Sequence, residues 1–354
     1  MLDTLVGVTS DPVARYLSQR GAKFDRKNRL RLMKSSEMLD TALRIYQRLG
    51  LTFLRLTVAP ALLCLASVGF VQNYVLPDLF TTNGKGNGAQ FMGEIAGALG
   101  LAVFVGGPLF LLGLSYTSSL VVHLVSDYML GNQPDPEAAA ETARNVLPRL
   151  FLVNLKELCL SLSGIIASTC VMGVGGYVAK TSADTDATAG IVVGIGALGL
   201  ILGCFVFLYI VACDALAAPI AVLENAGSRL ASKRSRKLLK KAGYHLGGAS
   251  SIWSLYILLL FLSLVLGSGL YLFIELLGIR QHLSDLLSFL PGEQLFLQAF
   301  DLLPSFIVIW TLMPVWASVI TIVYYERRIR LEGFDIDVLA SEIAHGTTTV
   351  NLHP

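Results

Sequence analysis

Six stretches of this chain carry no Asp, Glu, Lys or Arg over lengths that match a lipid bilayer. They lie between Arg55 and Asp78, Glu94 and Asp127, Glu157 and Lys180, Asp186 and Asp214, Lys241 and Glu275, and Asp301 and Glu326, with 22, 32, 22, 27, 33 and 24 residues. About 20 apolar residues span the hydrocarbon core as a helix. Lipid offers the backbone no hydrogen-bond partner, so only helices and closed barrels cross it. Barrel strands are segments of about 10 residues with alternating polarity, and these runs do not alternate. The sequence therefore predicts an all-α, polytopic membrane bundle of about six helices, arranged as three hairpins with short amphipathic interfacial helices. Composition agrees: 54% of the 354 residues are apolar and 15% charged, against about 25% charged in soluble domains. The mean hydropathy is +0.65.

Lys and Arg near span ends set orientation. The segment to Leu49, the connections holding Arg144 and Arg149 and Arg229 to Lys241, and Arg327, Arg328 and Arg330 together carry 22 basic residues, whereas Lys85, Lys180 and Arg280 are the three on the other side. Both termini are expected in the cytoplasm. Residues 1–49 read as a basic amphipathic cytoplasmic segment and 50–326 as the transmembrane domain, with spans at about 53–78, 95–127, 154–179, 188–214, 249–275 and 302–325. Residues 327–354 read as a cytoplasmic tail. Met1 to Leu49 lacks the short basic stretch, apolar core and cleavage site of a signal peptide.

Within the second run, Gly106-Gly107-Pro108 loosens the helix. This leaves open one kinked helix or a re-entrant pair. Shifting by 101 residues superimposes Thr41, Ala42, Arg48, Leu49, Leu51, Leu54 and Arg55 on Thr142, Ala143, Arg149, Leu150, Leu152, Leu155 and Lys156, an internal repeat. Of the outer connections, Thr81 to Gln90 and Thr181 to Thr188 read as loops. Ile279 to Phe300 reads as a short helix on the outer face, interrupted at Pro291-Gly292. Gly93 and Gly97, Gly190 and Gly194, and Gly199 and Gly203 are each four apart, which brings small residues to one face and neighbouring backbones together.

Gly194-Ile195-Gly196-Ala197-Leu198-Gly199 matches a dinucleotide fingerprint by letter. That motif works between a strand and a helix, and here it sits mid-span, so it reads as packing. Cys64, Cys159, Cys170, Cys204 and Cys213 all lie in or at the edge of apolar runs and read as small buried residues. His123, His245, His282, His345 and His353 are scattered, without the clustered spacing of a metal site. No catalytic constellation, cofactor or nucleic-acid module is expected.

Two polar groupings remain. His123 and Asp127 share a helix face near a span end, with Arg55, Lys156, Glu157 and Asp214 at comparable depth. Ionisable groups within a membrane are functional candidates; structural pairing with Arg55 or Lys156 and a proton or ion path are both open. Lys233, Arg234, Arg236, Lys237, Lys240 and Lys241 put six basic residues in nine. With Leu238 and Leu239 on a face with Ala231 and Ala242, they form a basic amphipathic helix suited to anionic lipid, or to an acidic protein partner.

Three stretches carry a family likeness: Ser36 to Tyr46 entering the first span, Pro219 to Glu224 followed by Lys233-Arg234-Ser235, and Tyr324-Tyr325-Glu326-Arg327-Arg328 with Glu332-Gly333-Phe334-Asp335. In order and placement they resemble the membrane domain attached to some bacterial glycerophosphoryl diester phosphodiesterases and its stand-alone relatives. The resemblance implies a six-helix bundle in a bacterial inner membrane and no reaction. The soluble phosphodiesterase barrel of those relatives is not expected in the 28 residues after Glu326. As boundary devices, Tyr324 and Tyr325 suit the headgroup level, Arg327, Arg328 and Arg330 its cytoplasmic side, and Phe334, Val338 and Ile343 a surface tail helix. Pro219 marks the end of the fourth span, with Glu224 in water.

The sequence favours a non-enzymatic inner-membrane scaffold or accessory subunit, with the bilayer, anionic lipids included, and a cytoplasmic protein as partners, and homo-oligomers open. The alternative is a small-solute or lipid transporter or lipid-handling protein, which predicts a cavity between the hairpins. A membrane enzyme using cytoplasmic-edge carboxylates ranks last, since no pair has the spacing of an acid and a base.

Overall fold

The computed structural model describes residues 35–72, 102–181, 186–242, 248–288 and 293–334. Among these residues there is no strand. Helix α1 runs Ser35–Phe70, and a π-helical turn, Ala102–Gly106, opens directly into α2, Gly107–Met129. Then come α3 (Pro136–Thr181), α4 (Asp186–Asp214), α5 (Ala217–Leu223), α6 (Ser228–Ala242), α7 (Gly248–Leu276), α8 (Ile279–Leu287), α9 (Glu293–Asp301) and α10 (Leu303–Glu332). Among the described residues, six helices are long and apolar enough to cross a membrane. The protein is a polytopic helical membrane bundle.

The chain passes through Gly106-Gly107-Pro108 without reversing. The π turn absorbs the missing donor, and Pro108 sits in the first turn of α2, where its absent N–H costs nothing. The second span is thus one helix from Ala102 to Met129; its expected beginning near residue 95, and Gly93 and Gly97, lie outside the described residues. The expected boundary at 49/50 is not a break either. Met38, Ala42, Ile45 and Phe53 recur on one buried face of a helix that continues straight into the apolar run. Helix α3 does the same from Pro136, where Asp135 Oδ1 accepts the N–H groups of Glu137 and Ala138 at 3.0 and 3.3 Å.

These two helices are the repeated pair, and they repeat in detail. Thr41 and Thr142 each donate to the carbonyl four residues back at 2.7 Å. Ala42 and Ala143 are fully buried, and Leu51 and Leu152 both face outward.

Burial is uneven. Of the most apolar window, 72% is buried in α2 and 56% in the last span, but only 6% in α7. Helices α2 and α10 are therefore central, and α7 is peripheral, facing the surrounding solvent or lipid. The dense core lies at the basic end, where Leu120, Leu124, Leu150, Leu216, Ile220, Ile322, Tyr324 and Tyr325 meet. Gly113 sets how close α1 and α2 come: a Cβ there would lie 2.5 Å from the Pro60 carbonyl oxygen. Trp310 Nε1 donates to the Leu54 carbonyl at 2.8 Å, tying α10 to α1.

The glycine seam joins α3 to α4. A Cβ on Gly203 would stand 3.0 Å from the Gly164 and Ile165 backbone, one on Gly199 2.8 Å from Ser168 Oγ, and one on Gly196 2.3 Å from Met172. The fingerprint-like run is thus a helix-packing surface. Gly194 meets nothing within 4 Å and is not part of the seam. At the other end, α8 and α9 are two short helices bracketing Pro291-Gly292, which lie outside the described residues, and Arg280 pairs with Asp301 at 3.0 Å. Val338, Ile343, Lys85 and the loop Thr81 to Gln90 also fall outside the described residues.

Candidate functional site

Helical spacing builds a cavity. On α3, Asn154, Glu157, Leu158 and Ser161 fall at i, i+3, i+4 and i+7, which is one face. Phe207, Val211 and Asp214 on α4, Ser118 on α2, Tyr256 on α7 and Trp316 on α10 turn toward the same space. They line a partly open pocket of about 350 Å³. The Tyr256 and Trp316 ring centroids are 4.2 Å apart, making an aromatic wall. Asn154 Nδ2 donates to Ser115 Oγ at 2.8 Å and Ser161 Oγ to the Leu158 carbonyl at 3.0 Å. Asp214 is almost fully buried. Among the described residues, no hydrogen bond or ion pair engages the Glu157 carboxylate.

Asp214 is held from outside the cavity. Arg236 on α6 grips both its oxygens, Nε to Oδ1 and Nη2 to Oδ2, each at 2.8 Å. The Asp214 hydrogen bond keeps the guanidinium above its ordinary value. Arg236 reaches it because α6 is stapled to the end of α4. Ser235 Oγ donates to the Cys213 carbonyl at 2.8 Å and accepts the Leu216 N–H at 3.2 Å, satisfying groups that a helix end leaves open. The turn before α6 passes through Asn225, which has a positive φ of 55°, and Arg149 Nη1 donates to its carbonyl at 2.9 Å.

The six ionisable residues expected to form one cluster therefore separate. Glu157 and Asp214 share the cavity. Lys156, one position along α3, faces a second pocket outside it. His123 and Asp127 are buried in the core but do not line the cavity, and Arg55 is exposed on α1. Neither Arg55 nor Lys156 pairs with Asp214, which takes Arg236 instead. The basic helix also divides. Ala231, Leu238 and Leu239 are buried as the apolar face and Lys233 and Lys237 are exposed. Arg234, by contrast, turns inward to Glu224 and Glu332. The side chains of Lys240, Lys241 and Ala242 lie outside the described residues.

That inward turn belongs to a polar clamp at the basic end. Tyr324 Oη donates to Glu224 Oε1 at 2.8 Å, and Arg328 reaches the same hydroxyl at 3.2 Å and Glu332 Oε2 at 3.2 Å. Phe334 lies 4.2 Å beneath the Arg328 guanidinium. Ser126 and Tyr325 share a 2.6 Å hydrogen bond, and Glu326 ion-pairs with Arg330. Tyr324 and Tyr325 do not face the surroundings as belt residues would: both are at most 1% exposed, and Arg327 and Arg328 are buried as well. Glu224 is not in water, with its side chain 11% exposed. Burial pushes its carboxyl above the ordinary range, against Arg234, the Tyr324 hydroxyl and Arg328. Glu224 with Arg234 and Tyr324 to Arg328 with Glu332 and Phe334 meet in this clamp, and Met38, Ala42 and Ile45 are buried in the adjoining core.

The sequence did not single out Ser118, Asn154, Ser161 or Tyr256. Uncharged polar residues inside apolar runs carry no hydropathy signal; the spacing of Asn154, Glu157 and Ser161 was the available one.

Fold and pocket together define a six-helix membrane bundle with a half-open, largely apolar pocket that carries two carboxyl groups in its lining. No protein-family model, no curated protein and no solved structure matches this chain.

Proposed function

We propose that this protein handles a small solute or a lipid within a bacterial inner membrane, with its basic end and both termini in the cytoplasm. The observation that carries this reading is the 350 Å³ cavity bearing Glu157 and Asp214. A pocket between spans gives a ligand somewhere to sit, and an ionisable residue in a membrane interior is costly without a role. Carboxylates only accept hydrogen bonds. Beside Tyr256 and Trp316, they favour a ligand group that brings N–H donors or positive charge. Glu157 is the group that receives it, since Arg236 already occupies Asp214. The 22-to-3 distribution of basic residues supports the orientation, and the likeness to the phosphodiesterase-associated membrane domain supports the bacterial inner membrane.

The scaffold reading keeps one observation in its favour, the basic surface of α6. Gentle extraction from native membranes followed by native mass spectrometry separates the two. A retained solute or lipid, lost in Glu157→Gln, is the expected result. A stoichiometric protein partner on a chain carrying no small molecule would sink the proposal.

A further inference from the structure

Beside Arg236, and outside the cavity, a second pocket of about 570 Å³ opens between α3 and α6. Arg229, Lys233, Arg236 and Lys237 fall at i, i+4, i+7 and i+8 on one face of α6, and Lys156 meets them from α3, its Nζ 3.5 Å from Ser232 Oγ. Leu160 completes the wall on a side of α3 that is open to the surroundings. Among the described residues, no carboxylate lies within ion-pair distance of Lys156, Arg229, Lys233 or Lys237, and Arg236 alone has an acidic partner.

We infer that this pocket holds a phosphate-bearing anion. Four of these five cations have no acidic partner among the described residues, and like charges around one concavity repel one another unless an anion sits among them; soluble counterions screen them only partly. A phosphate group offers several acceptor oxygens at once, which suits planar guanidinium forks and pointed ammonium groups converging from two helices. A lone carboxylate would leave most of these donors unused. Single-stranded nucleic acid is a poor fit, because no aromatic ring lines the pocket to stack a base. Leu160 supplies apolar surface beside the charges, as the glycerol or acyl part of a phospholipid requires, but the phosphate itself is the recognised group. Basic pockets between membrane helices bind such headgroups. The residues differ from a diffuse basic stripe: Arg234 is committed to the clamp, and Lys156 and Arg229 join from outside the charge-dense run. The inference is drawn from this pocket's own residues and does not require the inner cavity to hold a ligand.

The full-length protein in phosphatidylcholine nanodiscs doped with phosphatidylglycerol tests the lipid source, by native mass spectrometry of retained lipid. The same protein in undoped nanodiscs, titrated with glycerol 3-phosphate by calorimetry, tests the soluble source. Lys156→Gln with Arg229→Gln is compared with Arg44→Gln with Arg144→Gln, which removes two equally exposed charges from the same end. Each pocket charge removed should lower binding about fivefold, the equivalent of about 1 kcal/mol per basic residue. The control pair should leave binding unchanged, and Lys156→Arg with Arg229→Lys should restore it. A pocket-dependent signal with phosphatidylglycerol assigns a lipid headgroup; one with glycerol 3-phosphate alone assigns a soluble ester. Equal losses in the pocket and control variants, or no binding of either probe by the unaltered protein, overturns the inference. Melting temperatures of the variants report that the fold is intact.

Discussion

The hydroxyl of Tyr324 donates to Glu224 Oε1 at 2.8 Å, joining the last span to the loop after α5 across 100 residues of sequence. Tyr324 is fully buried and Glu224 largely so, so each meets part of a hydrogen-bonding need that water would otherwise satisfy. Tyr324→Phe removes the donor and leaves Glu224 with Arg234, and should cost about 1–3 kcal/mol. Chemical or thermal unfolding in detergent measures it. A change within error would mean the carboxylate is hydrated in the folded protein.

Glu224 also sets a pH dependence. Its carboxyl is raised by burial, so the folded state favours the protonated form. The contribution is fully present below the unperturbed value of about 4.3 and is lost as pH rises through the raised folded value. Glu224→Gln, which cannot ionise, should flatten this part of the profile. Melting temperatures of the two proteins from about pH 4 to about pH 7 make the comparison; parallel curves would remove Glu224 as the cause.

The α3–α4 seam predicts contrasting alanine scans. Gly203→Ala sets a methyl 3.0 Å from the Gly164 and Ile165 backbone, which cannot rotate away, and should destabilise by about 1–3 kcal/mol. Gly194→Ala meets nothing within 4 Å and should be neutral or stabilising by up to about 1 kcal/mol, from helix propensity. Similar effects at both positions would mean that the two helices do not touch along this line.

Filling the cavity should separate stability from binding. Ala218 borders the chamber, so Ala218→Leu extends into existing space and avoids the overpacking cost of about 1–3 kcal/mol seen in dense cores. The melting temperature should hold while the retained small molecule disappears from the native mass spectrum. Unchanged retention would place the ligand elsewhere.

What could be read in the sequence was whatever charge or periodicity marks. Six apolar runs foretold six spanning helices, and the 101-residue shift foretold helices as alike as α1 and α3. The seam at Gly199 and Gly203 followed from spacing. The site was only partly legible. Glu157 and Asp214 stood out as charges near span ends, but similar depth along the chain does not place side chains on facing surfaces, and His123, Asp127 and Arg55 point elsewhere. Tyr324, Tyr325, Arg327 and Arg328 read as an interfacial belt because their composition fits one. Tertiary partners distant in sequence, such as Glu224 and Ser126, draw the tyrosines inside instead.

One guanidinium stands between the two chambers. Arg236 closes on Asp214 from one side and lines the basic pocket on the other. An anion that recruits Arg236 would loosen its grip on Asp214, and a cation held at Glu157 beside Asp214 would draw on that carboxylate and free Arg236 for an anion. Linkage makes the effect reciprocal, with the same factor in both directions. The two compartments are then halves of one balance, in which opposite charges arriving from opposite sides of a single side chain help each other to bind.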